Sequence, residues 1–157
     1  TAGTLVLQNL GIPGRRPQSQ SPEPYECEQP AAAALMIRRE AHESVGGFDE
    51  QFFPAWYEDV DFCMRLRTEG WEIYFAPQAV FLHEGGYSAG VLGSGEFVNA
   101  YYSNQARFAR KHFGRAGSIA VRASIAAGMI GRIVGRPGRP GRMAAYGKVL
   151  IGALRGW

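Results

Sequence analysis

Three acidic residues stand close together in the chain and are the first candidates for chemistry. They are Glu58, Asp59 and Asp61, at the start of a predicted helix. Positions 59, 63 and 66 share one helix face, and the last two are the apolar Cys63 and Leu66, so we expect Asp59 to point inward. An inward carboxylate must be paired, hydrogen-bonded, bound to a cation or placed at a cleft. Helix capping by the acids explains the same pattern without any chemistry.

His83 and a group of aromatic residues are the other candidates. His83 lies where a predicted strand ends and a Gly-Gly loop begins, which is where open α/β sheets hold their ligands. A metal ligand, an acid or base group and a hydrogen-bonded structural histidine all fit this position. The loop before the acids carries the aromatic residues Phe52, Phe53, Trp56 and Tyr57. Such rings either stack on sugars or bases or simply pack together.

The elements predicted to position these residues are short. Tyr57–Thr68 is the clearest helix, because acidic residues open it and basic residues close it. Continuous apolarity predicts a buried strand over Ala31–Ile37, and a helix over Arg38–Val45 is expected to end at two glycines. Further strands are predicted at Thr4–Leu7, Trp71–Phe75 and Ala79–Leu82, a glycine-rich loop at Glu84–Glu96, and helices at Phe97–Phe113 and Met143–Trp157.

The composition fits one domain with its own core. The chain has 157 residues, of which 46% are apolar and 20% are charged. It has no collagen repeat, no extreme charge of the disordered kind and no dense cysteine framework. We expect Cys27 and Cys63 to be reduced thiols of a cytoplasmic protein. The chain starts at Thr1 without a signal-peptide pattern, and we expect it to be a piece of a longer protein.

The charge is divided sharply along the chain. Residues 1–96 hold all 14 acidic residues and 6 basic ones, whereas residues 97–157 hold 11 basic residues and no acidic one. Such a tail predicts an anionic partner, either a membrane surface or a nucleic acid. Its longest uncharged stretch, 123–131, is too short to cross a bilayer, so we expect the tail to lie on a membrane and not to span it.

The stretch 31–86 resembles the second half of the catalytic domain of family 2 glycosyltransferases, and within that family its rhamnosyltransferase-like members. The helix at 101–114 extends the resemblance. It rests on the order and spacing of the Gly46-Gly47-Phe48-Asp49 turn, Phe52-Phe53, the Glu58-Asp59 pair with Asp61, Gly70-Trp71, Pro77 and His83. The implied fold is of the GT-A type, a Rossmann-like α/β sandwich. We therefore predict an acceptor-side GT-A part at 1–114 and a basic tail of amphipathic helices at 115–157.

The resemblance implies an inverting transfer of a sugar from a nucleotide sugar to an acceptor hydroxyl. It implies Asp59 as the catalytic base, Glu58 beside it in the same motif, and His83 as a ligand of a divalent metal, Mg or Mn. The aromatic residues Phe53, Trp56, Tyr57 and Trp71 are assigned to acceptor binding. The nucleotide-binding half, with its Asp-x-Asp metal motif, is expected upstream, because residues 1–30 contain no aspartate. The chain alone is therefore expected to be inactive.

The basic tail fits a glycan or lipid-linked acceptor of the kind used to build bacterial cell-surface polysaccharide. We expect a peripheral protein on the cytoplasmic face of the cell membrane, bound to its anionic surface, and we do not expect nucleic acid as its partner. One alternative is a non-catalytic binding module, in which the tail binds membrane or nucleic acid. Another is a hydrolase metal site formed by the three acids and His83.

Overall fold

The computed structural model describes residues 1–13, 22–30, 32–83, 87–135 and 140–157. The chain forms two compact units. The helical unit comprises Thr1–Arg16, Pro54–Trp56 and Gly86–Trp157, and the motif unit comprises Pro17–Phe53 and Tyr57–Gly85. The division predicted at residue 114 stays a prediction, and the helical unit groups residues from both sides of it.

The described residues are mostly helical, with one small sheet. In chain order the elements are α1 (Ala2–Asn9), β1 (Tyr25–Glu26), α2 (Arg39–Ser44), α3 (Glu58–Thr68), β2 (Tyr74–Phe75), α4 (Tyr87–His112), α5 (Gly114–Gly135) and α6 (Pro140–Arg155). Short 3-10 turns occupy Ala32–Ala34 and Glu50–Phe52. The two strands are antiparallel, with Tyr25 opposite Phe75.

The motif unit is built around α2 and α3, and both predicted helices are confirmed. Phe62 is completely buried in its core and packs with Ala41 and Leu66. The helix α2 ends at Ser44 because the chain then turns through Gly46 and Gly47, whose φ values of 73° and 74° favour glycine. Acidic residues in the first turn of α3 and basic residues in its last turn complement the helix dipole.

The strands predicted to form a buried sheet are mostly wrong. In place of a strand over Ala31–Ile37, the described residues form a 3-10 turn and a segment without regular structure, in which Met36 is 99% exposed. Ala79–Leu82 has no regular structure, and Leu82 is fully exposed. Of Trp71–Phe75, only the last two residues form a strand. An apolar segment becomes a buried strand only where neighbouring strands take up its backbone hydrogen bonds, and β1 with β2 is the one such pairing in the described part of the chain.

The helical unit packs α1, α4, α5 and α6 around one apolar core. Ala109, Val121, Ile125, Met129 and Val149 are completely buried there. The strand predicted at Thr4–Leu7 is wrong, because this short apolar run lies inside α1 and packs against α5.

The loop predicted at Glu84–Glu96 is also wrong where the structure describes it. Its first three residues lie outside the described part, and from Tyr87 onward the chain belongs to α4. The helix is interrupted at Gly93, where φ is 69° and ψ is 155°. The helix predicted at Phe97–Phe113 is confirmed as the remainder of α4.

The expectation that the tail lacks a segment able to cross a membrane needs correction. The 22 residues of α5 form a helix that is long and apolar enough to cross a bilayer by length and composition, and a third of its most apolar window is buried within the protein. Arg122 and Arg132 fall within α5 and interrupt the apolar run in the sequence. Both guanidinium groups donate to backbone carbonyls of other helices, Arg122 to Ala153 and Arg132 to Asn9.

Candidate functional site

Asp59 lies in the first turn of α3, half-buried, with its carboxylate fixed by hydrogen bonds. The Oδ2 atom accepts hydrogen bonds from Gln29 Nε2 and from the backbone N of Ala32, each at 3.2 Å. The Oδ1 atom accepts a hydrogen bond from the backbone N of Val60 at 2.8 Å. One oxygen therefore accepts a backbone N–H within the first turn, although α3 has no side-chain cap at its N-cap residue, Tyr57. The other oxygen ties α3 to a segment 27 to 30 residues earlier.

The backbone that enters α3 is unusual for its residue types. Trp56 and Tyr57 lie consecutively in the left-handed region, with φ values of 80° and 73°. Bulky residues rarely adopt this conformation, and each such residue costs on the order of 1–3 kcal/mol that the surrounding structure must offset. Strain of this kind is concentrated at functional sites. The turn sets the direction of the first helical residues, Glu58 and Asp59.

The fully buried acid of α3 is Asp61, not Asp59. Its Oδ2 atom accepts a hydrogen bond from Arg65 Nε at 2.7 Å, and the same guanidinium donates to the carbonyl oxygens of Val45 at 2.5 Å and Gly47 at 2.7 Å. Asp61 and Arg65 therefore clamp α3 to the glycine turn that follows α2. The sequence contained a signal for this pair, because an acid and a base four residues apart share one helix face.

Cys63 lies one turn after Asp59 on the predicted inward face, and it is buried, as is Leu66. Burial, with a smaller contribution from the nearby Asp59 carboxylate, raises the pKa of the Cys63 thiol to about 11. Burial also raises the pKa of Cys27. Both cysteines are free thiols, as the sequence predicts. Glu58 is half-buried at the first position of α3, next to Asp59.

The four predicted acceptor-binding aromatic residues lie in different surroundings. Phe53 is 83% exposed, whereas Tyr57 is buried. Within the helical unit, the Trp56 ring packs edge-on against Phe97, with ring centroids 5.0 Å apart. Within the motif unit, Trp71 is half-buried against the α2–α3 core, and its indole N–H donates to Ser44 Oγ at 3.0 Å. Phe53 is therefore the ring with most of its surface available to a ligand, and acceptor binding stays a prediction for all four.

His83 is exposed at the end of a described segment. Among the residues that the structure describes, no three His, Cys, Asp or Glu side chains are grouped so that they could hold a metal ion. The described part of this chain thus supplies His83 as a single candidate ligand, and one imidazole does not form a divalent-metal site. A hydrolase site made by the three acids with His83 has no support in this geometry, because Asp61 forms an ion pair with Arg65.

Comparison with known proteins places these residues in a family. The model of the family described as "Glycosyl transferase family group 2" matches residues 27–130, which is about two thirds of the chain and includes the whole of α3. The chain belongs to this glycosyltransferase family. The resemblance drawn from the sequence is thereby confirmed, and Glu58, Asp59 and His83 all lie within the matched region.

Curated glycosyltransferases resemble parts of the chain. It is 34% identical over 84 residues to an N-acetylglucosaminyl-diphospho-decaprenol L-rhamnosyltransferase of Mycobacterium tuberculosis, a match that covers 54% of this chain and 27% of that protein. It is 34% identical over 122 residues to a galactofuranosyl glycosyltransferase of Leishmania donovani, covering 72% of this chain and 28% of that protein. The chain thus spans little more than a quarter of these relatives. No solved structure matches it significantly.

Proposed function

We propose that the chain is the acceptor-side part of an inverting glycosyltransferase, in which Asp59 is the general base. The observation that carries the proposal is the Asp59 carboxylate, held at the start of α3 by Gln29 and Ala32, in a chain that belongs to a glycosyltransferase family. The strained turn at Trp56 and Tyr57 supports a functional role for this helix start.

The chemistry asked of Asp59 is proton transfer. As the sugar is transferred, the base takes the proton of the attacking acceptor hydroxyl, and general-base catalysis of this kind contributes about 10²- to 10⁴-fold in rate. A carboxylate offers about four hydrogen-bond acceptor positions. The described residues fill three of them, and the acceptor hydroxyl is proposed to take the fourth. Glu58 is proposed as the second carboxylate of the same motif.

The substrates follow from the family and from the relatives' names. A glycosyltransferase of this family takes a nucleotide sugar as donor. One relative is named for the transfer of rhamnose to a decaprenol-linked sugar and another for galactofuranose. We therefore propose a lipid-linked or polysaccharide acceptor, of the kind that serves bacterial cell-surface polysaccharide synthesis. The exposed Phe53 ring is the first candidate to contact the acceptor sugar.

A divalent metal, Mg or Mn, is proposed to neutralise the diphosphate leaving group, as such ions do in phosphate chemistry. His83 is the residue of this chain proposed to contact it. The remaining ligands are proposed to come from the nucleotide-binding half, which is expected in the complete protein.

The proposal that this chain is part of a larger GT-A domain also accounts for a cavity in the motif unit. A cavity of about 520 Å³ lies in this unit, and the segments 35–38 and 71–74 both contribute to its lining. Ala41, Cys63 and Leu66 also line it. In a complete GT-A domain, further strands are proposed to fill such a space and to pair with the backbone of segment 35–38.

The test replaces Asp59 in the complete protein that carries this chain. Activity is measured with nucleotide-activated rhamnose and galactofuranose and a polyprenyl-diphosphate-linked acceptor. Asp59→Asn keeps the size of the side chain and is expected to lower kcat by at least about 100-fold, with little change in the KM of the donor. Glu43→Gln, which alters an exposed carboxylate on α2, is the matched control and is expected to keep full activity.

Two results would count against the proposal. Unchanged turnover of Asp59→Asn, with the fold intact by circular dichroism, would exclude Asp59 as the base. A complete protein that transfers none of the sugars, while the chain still binds membranes, would favour the non-catalytic binding module. The isolated chain is expected to be inactive in the same assay.

A further inference from the structure

The outward face of α5 has an unusual composition for an exposed helix. Its exposed positions between 116 and 134 hold only alanine, glycine, isoleucine and valine. Ile119, Ile130 and Val134 are 62%, 51% and 76% exposed. The exposed face of a surface helix in a soluble protein normally carries charged and polar residues. We call this surface the α5 face; at the rise of an α-helix it runs for roughly 27 Å.

The charged residues of α5 do not interrupt this face. Arg122 donates to the carbonyl oxygens of Ala153 and Leu154, and Arg132 donates to that of Asn9. Both side chains therefore lie toward α6 and α1, on the packed side of the helix. Lys111 and Arg115 stand just before the α5 face, and Arg136, Arg139 and Arg142 follow it in the sequence.

The unit that carries the α5 face is strongly cationic. Its sequence contains thirteen basic residues and a single acidic one, Glu96. The Glu96 carboxylate accepts a hydrogen bond from Lys148 Nζ at 2.9 Å. A second copy of so basic a unit would be repelled electrostatically, which argues against self-association through this face. A nucleic acid binds through contacts of its phosphates with basic side chains, and the uncharged apolar α5 face would contribute nothing to such contacts.

We propose that the α5 face docks on an anionic lipid bilayer, with α5 lying in the interface. A helix binds in this way when it buries an apolar face at the acyl boundary while basic residues near it meet anionic headgroups. The opposite face of α5 buries Val121, Ile125 and Met129 in the core of the helical unit. Crossing the membrane would strip away that packing, so the interfacial position fits the structure better than a span. The proposed membrane contact does not depend on transferase activity, so it is tested separately from the proposed function.

The test is cosedimentation of the chain with vesicles. One set contains phosphatidylcholine with a minor fraction of phosphatidylglycerol, and the other contains phosphatidylcholine alone. The unchanged chain is expected to bind the anionic vesicles and to lose affinity as salt is added. The triple variant Ile119→Ser, Ile130→Ser, Val134→Ser keeps every charge and is expected to bind at least about tenfold more weakly, because it removes the apolar contact.

A matched triple variant controls for the loss of exposed apolar surface. Met36→Ser, Val80→Ser, Leu82→Ser alters three residues of the motif unit that are at least 83% exposed, and it is expected to bind like the unchanged chain. Equal binding by the two triple variants would overturn the proposal. So would resistance of the membrane-bound chain to alkaline extraction, which indicates a span, and so would a dimer that only the α5 variant dissociates.

Discussion

The two compact units hold themselves together by different means. The helical unit buries eight apolar residues in one core, to which α4, α5 and α6 contribute. The motif unit has three residues in its buried cluster and adds the ion pair of Asp61 with Arg65. The motif unit, which holds most of the family's motif residues, therefore relies more on this ion pair, while both units leave large apolar side chains exposed. The difference indicates that one large apolar core stabilises the helical unit, whereas the motif unit depends on a buried ion pair beside a small apolar cluster.

The largest expected effect comes from breaking the clamp of the motif unit. Asp61→Asn keeps the side-chain size but leaves the Arg65 guanidinium without its partner charge, and Asp61 is fully buried. Removal of one partner of a buried pair costs about 3–5 kcal/mol. Hydrogen exchange measured by mass spectrometry should show loss of protection in α2 and α3 while α5 stays protected.

The control for this experiment is Glu69→Gln, which changes an exposed acid just after α3 and should leave exchange unaltered. Protection in α2 and α3 that survives Asp61→Asn would mean that the small apolar cluster suffices, and the contrast between the units would lose its basis.

A smaller effect tests the helical unit at two glycines of α5. A Cβ atom at Gly128 would lie 2.4 Å from the backbone oxygen of Asn9, whereas at Gly131 it would have no neighbour within 4 Å. Gly128→Ala should therefore destabilise the unit by about 1–3 kcal/mol, because α1 must move away. Gly131→Ala should stabilise it by about 0.5–1 kcal/mol through helix propensity.

The measurement is thermal unfolding followed by far-ultraviolet circular dichroism. Opposite shifts of Tm are expected for two substitutions of the same type, three residues apart. Equal shifts would show that α1 does not pack closely on α5, which would weaken the description of a tightly packed helical unit.

The smallest effect concerns thiol chemistry in the motif unit and leaves stability unchanged. The pKa of Cys63 is raised to about 11, so near pH 8 only about a thousandth of this thiol is thiolate. Cys27 is half-buried, and its pKa is raised less. Alkylation with iodoacetamide should modify Cys27 first, and the rate at Cys63 should rise about tenfold per pH unit below its pKa. Peptide mass spectrometry distinguishes the two sites, and faster alkylation of Cys63 would contradict the burial described here.

The sequence predicted helices well where their end signals were local. The acids and bases of α3 and the glycines after α2 are read within a few residues of each helix, so both helices were found. The strand predictions failed because an apolar run such as Ala31–Ile37 has the composition of a strand whether or not a neighbouring strand is present. Strand pairing is a long-range property, and the sequence of one segment does not contain it.

The candidate site was predictable in part for the same reason. The motif around Asp59 is contiguous, and its family was recognisable from residue order. The hydrogen bond between Asp59 and Gln29 joins residues that are 30 positions apart in the sequence, and no local pattern predicts it. The apolar face of α5 was missed because Arg122 and Arg132 interrupt the sequence. Only the structure shows that both arginines are directed to carbonyl groups of other helices.

The Arg65 clamp also has a consequence for how the aromatic loop is held. The Arg65 guanidinium donates hydrogen bonds to Val45 and Gly47, and these bonds join the two ends of a loop of about twenty residues. Residues 48–57 lie within that loop, so the clamp fixes where they leave α2 and where they enter α3. Phe52 inside the loop is also buried, and the turn at Trp56 and Tyr57 directs the start of α3. One arginine therefore ties together the two helices and the aromatic loop between them, and that loop keeps a second anchor of its own at Phe52.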